Sequence, residues 1–132
     1  MFEIIAAIAL AAADTASPAS IEGRWVNPSK SVIIDVAPCG EAMCGTVVWA
    51  DAQARQDAKK GTPELIGTQL LKDLQPKGAT WEGKLFVPDR GLHVEARLQP
   101  EGSGELKVSG CEIGICESQA WARSEGALPA VN

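Results

Sequence analysis

Tyrosine is absent from these 132 residues, and histidine occurs once, as His93. With one histidine and no Gly-x-Ser-x-Gly elbow, serine hydrolysis of the Ser–His–Asp kind has no supported base. Basic residues are in deficit, twelve Lys and Arg against seventeen Asp and Glu, for a net charge of −5 at pH 7. The sequence pI is near 4.8. Such a chain lacks the basic footprint that phosphate backbones demand, which excludes nucleic acid as a partner. Long apolar runs are missing too. Residues 4–13 form an unbroken run of only ten, where a membrane-crossing helix needs about 20. The thirteen glycines are scattered among turns and form no phosphate-cradling loop.

What is present points to export. The run at residues 4–13 has the length of a signal-peptide h-region, and small residues follow it. Ala11 and Ala13 make one A-x-A cleavage site, and Ser17 with Ala19 makes another. The expected organisation is a signal peptide over residues 1–19 and one domain over 20–132, in the periplasm or secreted. The alternative for the run is an N-terminal strand or helix, because Met1-Phe2-Glu3 carries no Lys or Arg. No transmembrane anchor is expected after cleavage.

Cysteine usage supports export separately. The four cysteines form two pairs of identical spacing, Cys39-x4-Cys44 and Cys111-x4-Cys116. Beneath a signal peptide, closely paired cysteines in even number read as disulfides that pin local hairpins. Other pairings, a four-cysteine zinc site and a redox motif are the competing readings.

The remainder reads as short strands between turns. Leu92, Val94, Ala96 and Leu98 alternate with His93, Glu95, Arg97 and Gln99, a clean period of two. Leu106 and Val108 repeat the pattern, and Val32, Ile34 and Val36 share a face opposite Ile33 and Asp35. Pro88-Asp-Arg-Gly91 is a turn, and Gln99–Gly104 a hairpin loop by composition. Further strands are expected at 21–27, 46–50, 65–71, 80–87 and 118–124. Residues 51–60 form the one helical window, closed by Gly61 and Pro63. About eight strands at this spacing predict an all-β, antiparallel, roughly eight-stranded barrel with one short helix.

Gly23-Arg-Trp25, Val32-x-Ile34, Cys39-Gly-Glu-Ala-Met-Cys-Gly45 and Val47-Val-Trp49 together resemble a bacterial exported family, domain of unknown function 2147. Further likeness lies in Leu65–Leu70, Trp81-x-Gly83, Val87–Gly91 and Gln119-x-Trp121-x-Arg123. The resemblance implies a small calycin- or lipocalin-like barrel. It also implies that Gly23, Trp25 and Arg123 close one end, with Arg123 covering the Trp25 ring as a cation–π pair. No activity comes with it.

Candidate chemistry is sparse. His93 sits on the polar phase of its strand and is expected to face solvent. Glu112 and Glu117 flank cysteines in a loop and read as a solvated acidic rim. No catalytic set, metal site or cofactor is expected, and the chain is not expected to be an enzyme. The four tryptophans are the better lead, since each buries a large surface and seeks a partner for its indole N–H. Trp25 and Trp121 bracket the first and last strands and read as architecture. Trp49 or Trp81 is then expected to line a pocket for a small apolar or amphipathic ligand. Phe86, opposite in phase to Leu85 and Val87, would suit a binding surface. The competing expectation is a side-chain-filled barrel serving as an envelope interaction module, with loop residues such as Glu41 and Glu117 meeting a protein partner.

Overall fold

The alternating segments pair edge to edge until the last meets the first. The computed structural model describes residues 18–130, so the signal peptide expected over 1–19 lies, but for its last two residues, outside the described residues. The strands are β1 (Gly23–Val26), β2 (Val32–Cys39), β3 (Ala42–Ala50), β4 (Gln69–Lys77), β5 (Thr80–Val87), β6 (Leu92–Glu101), β7 (Glu105–Glu112) and β8 (Ile115–Arg123). Each pairs antiparallel with its successor, and β8 returns to β1 to close a barrel. The connection from β3 to β4 carries a helix, α1 (Ala52–Asp57), and a 3-10 turn over Ala58–Lys60. Asp51 caps α1, its carboxylate accepting the Ala54 N–H at 2.8 Å, which satisfies one orphan donor of the first turn. Among the described residues no helix is long and apolar enough to cross a membrane.

The period of two does the folding work. On β6, Val94, Ala96 and Leu98 are buried while Glu95, Arg97 and Gln99 are exposed. Register carries that phase across the wall: Leu98 faces Trp81 and Val108, and Val94 faces Leu85. Inward residues of the other strands, including Trp25, Ile34, Val36, Val47, Leu71 and Leu74, complete one core. Through Ala50, Ala58 and Leu65 that core reaches, on the β2–β4 side, the end that carries α1, and it fills the end at which β1 begins. Residues 19–22 run across this end from β1 to β5: Ile21 is fully buried, its carbonyl accepts the Trp25 indole N–H at 2.9 Å, and the Ala19 carbonyl accepts the Trp81 indole N–H at 3.0 Å.

Two expectations need correction. The strand expected at 65–71 is Gln69–Lys77 instead. Leu65 is buried, but in a turn in which the Thr68 N–H donates to the Leu65 carbonyl at 2.9 Å; apolar content there marks a packed loop. Within β4, Leu71 and Leu74 are both buried although three residues apart. Asp73 takes φ +57 and the register slips between Lys72 and Gln75, a bulge that re-aims the strand. The loop expected over 99–104 is narrower, because Gln99, Pro100 and Glu101 pair with Lys107, Leu106 and Glu105.

Candidate functional site

The end that carries α1 is built differently on its β5–β8 side. The turns 88–91 and 113–114 lie there, between β5 and β6 and between β7 and β8. The inward phase of β7 runs Leu106, Val108, Gly110, and that of β8 runs Ile115, Glu117, Gln119, Trp121, since Trp121 faces Leu106, Gln119 faces Val108 and Glu117 faces Gly110. Toward this end the inward positions therefore change from large apolar side chains to none and to polar ones. The result is a cavity of about 660 Å3 along the β5–β8 wall.

Its floor is apolar: Leu85, Val94, Val108 and Trp121. Gly110 matters to that floor, because a Cβ there would stand 3.0 Å from Leu85 Cδ2 and 3.3 Å from Val94 Cγ2. The Trp121 indole N–H donates to Gln119 Oε1 at 3.1 Å, which satisfies a nearly buried donor without a main-chain partner. Asp89, Arg90, Glu112 and Glu117 are the charged lining groups. Arg90 and Glu112 pair at 3.3 Å, both about half exposed, so their attraction is worth no more than about 1 kcal/mol.

The cavity also opens along one side. β1 meets β8 only at Trp25–Arg123 and Val26–Ala122, so residues 115–121 of β8 have no strand on their other edge among the described residues. Glu117 and Gln119 are exposed for that reason, although their phase is inward. The hairpin joining β7 to β8 turns through Ile113 at φ +50 and Gly114 at φ +77, the left-handed pair that a two-residue hairpin needs. Isoleucine is poorly suited to that conformation, and here Ile113 is 96% and Ile115 73% exposed. The Cys111–Cys116 disulfide ties the hairpin directly behind this tip.

The structure separates the expected site residues. Trp81 lies at the filled end, bonded to Ala19. Trp49 lies outside the barrel: it is paired with Ile33, opposite in phase to the inward Ile34–Val47 pair, and its indole N–H donates to the Ala130 carbonyl at 3.2 Å. Neither Trp49 nor Trp81, the two expected to line a pocket, is among the residues that line this cavity; Trp121, expected to be architectural, is. Period-two phase tells which face a tryptophan occupies but not which end of the barrel. The readable signal for Trp121 was its shared phase with Gln119 and Glu117. Glu112 and Glu117, expected as a mere solvated rim, line the cavity too.

The remaining candidates are placed as follows. Arg123 stacks its guanidinium over Trp25, and Gly23 lies beside it. Cys39 pairs with Cys44 and Cys111 with Cys116, leaving no free cysteine. The two disulfide hairpins sit at opposite ends of the barrel, so the four cysteines cannot converge on a zinc ion. His93 stands on the outer face, its ring 4.9 Å from that of its cross-strand partner Phe86; Phe86 is half-buried rather than an open binding surface.

Comparison with known proteins agrees with this architecture. The family model described as "Uncharacterized protein conserved in bacteria (DUF2147)" matches residues 23–123. No curated protein matches the chain. A solved structure described as protein HP1028 from the human pathogen Helicobacter pylori, of the lipocalin family, is similar at a TM-score of 0.62. The two are 16% identical over 80% of this chain and 84% of that one. At that identity the likeness concerns the fold alone, a lipocalin-like barrel.

Proposed function

The chain belongs to the bacterial DUF2147 family, and from that premise we propose that it is an exported barrel whose open-end cavity binds a small apolar or amphipathic molecule. The observation that carries this reading is the cavity itself: about 660 Å3, with Leu85, Val94, Val108 and Trp121 as its floor. That volume falls within the roughly 300–1,000 Å3 of small-molecule sites. Burial of a ligand's apolar surface contributes about 25 cal/mol per Å2, and a wall already formed spares the cost of ordering it.

Export to the periplasm fits two features. Both cysteine pairs are disulfides, which persist in oxidising compartments, and the apolar run at residues 4–13 has signal-peptide length. The function is binding rather than catalysis. Native mass spectrometry of protein purified from its own periplasm is expected to show a copurified small molecule; repeated preparations at the bare protein mass would overturn the reading.

A second reading rests on the exposed tip. Ile113 and Ile115 project beside a disulfide, as an envelope interaction module would require. Under that reading Ile113→Ser or Glu117→Gln abolishes capture of a protein partner, while filling the cavity changes nothing.

A further inference from the structure

The charged groups around the cavity are negative on balance, and that selects among amphipathic ligands. The cavity is lined by three carboxylates, Asp89, Glu112 and Glu117, and one guanidinium, Arg90. Arg90 is engaged by Glu112 at 3.3 Å. The side-chain carboxylates of Asp89 and Glu117 have no hydrogen-bond or ion-pair partner among the described residues. Glu117 is held in the inward phase by its register opposite Gly110, a position with no side chain to cover it. It stands two residues from Gln119 and four from Trp121 on the same phase, so one strand carries apolar floor, neutral amide and carboxylate in that order from inside to mouth. Gln119 adds a neutral amide, its oxygen taken up by the Trp121 indole N–H, and leaves the sign unchanged.

Resting on the cavity reading above, we propose that the ligand is an amphipathic cation: an apolar chain or ring seated against Val108 and Trp121, with a positively charged amine at the mouth beside Glu117. A carboxylate-headed ligand would bring its charge to the same two unpaired carboxylates. At a mouth open to water, where the dielectric stays close to that of bulk solvent, a carboxylate about 4 Å from a unit charge alters affinity about fivefold in either direction. The cavity supplies affinity and Glu117 supplies the choice of head group. Glu117 is therefore a specificity-determining residue.

The test uses the oxidised protein and three ten-carbon probes below their micellar or solubility limits: decylammonium, 1-decanol and decanoate. Calorimetric titration at low ionic strength is expected to rank them in that order, with the cation about 25-fold tighter than the anion. The ratio should shrink as salt is added. Glu117→Gln should reduce it several-fold, and an unfolding midpoint within about 1 °C of the parent's shows that the variant is folded. Decanoate binding as tightly as the cation, or a ratio unmoved by Glu117→Gln, overturns the inference while 1-decanol binding preserves the cavity reading. Failure of all three probes to bind overturns both.

Discussion

The guanidinium of Arg123 lies 4.1 Å over the ring of Trp25. The same side chain donates from Nη1 to the Glu22 carbonyl at 2.5 Å and from Nε to the Ser103 carbonyl at 3.2 Å. One cation thus joins the segment that crosses the filled end, the first strand's tryptophan and the β6–β7 turn. Gly23 makes room for it: a Cβ there would stand 2.6 Å from Nη1, and φ is +117.

Removing this clamp should loosen the filled end. Arg123→Met keeps an apolar stem over Trp25 but loses the charge and both hydrogen bonds, so a loss of about 2 kcal/mol is expected. Urea unfolding measures it, and Arg123→Lys should recover only part, because an ammonium cannot spread over the ring and reach both carbonyls. A variant as stable as the parent would show that the clamp contributes nothing.

Ile113 gives a prediction of opposite sign. A β-branched side chain at φ +50 is held in a region that costs about 1–2 kcal/mol relative to the right-handed one. Ile113→Asn creates the Asn-Gly pair that such hairpins favour. It should raise stability by about 1 kcal/mol, read as a higher urea midpoint. A lowered midpoint would mean that the isoleucine makes compensating contacts.

The Cys111–Cys116 bridge closes a short loop, so its loss should cost about 2 kcal/mol in the chain-entropy model. The double variant Cys111→Ser with Cys116→Ser tests this by thermal unfolding. Amide exchange should speed in the β7–β8 hairpin and stay slow on β2 and β3, whose own bridge, Cys39–Cys44, is at the other end.

Filling the cavity separates binding from folding. Val108 packs in the core and also lines the cavity, and Val108→Phe extends its side chain toward the void beside Trp121. Affinity for 1-decanol should fall at least about tenfold while the unfolding midpoint holds or rises. Affinity unchanged, with the midpoint lowered, would mean that the void beside Val108 is not where the probe sits.

Much of the barrel is legible in the sequence because β6 and β7 alternate without interruption, and the short helix is legible from Asp51 and Gly61 at its ends. β4 is not, for a physical reason. Its bulge at Asp73 depends on Gly83 across the sheet, where a Cβ would meet the Asp73 carbonyl oxygen at 2.7 Å; a long-range contact of that kind leaves no mark on the local period. The start of β8 was hidden because Glu117 and Gln119 are polar on the inward phase, and alternation is readable only where inside means apolar. That polar stretch is the mouth of the site. Thus the residues that obscured the strand are those that make the cavity, and only pairing with β7 reveals them.

The four tryptophans allow the central claim to be tested at residue resolution. Each indole N–H gives its own signal in a proton–nitrogen correlation spectrum, and their partners differ: Ile21 for Trp25, Ala130 for Trp49, Ala19 for Trp81 and Gln119 for Trp121. Titration with 1-decanol should move the Trp121 indole signal and the backbone amides of Val94, Val108 and Gly110, and leave the other three indoles in place. Movement of the Trp49 or Trp81 indole with Trp121 unchanged, or no movement at all, would contradict a binding site at the open end of the barrel.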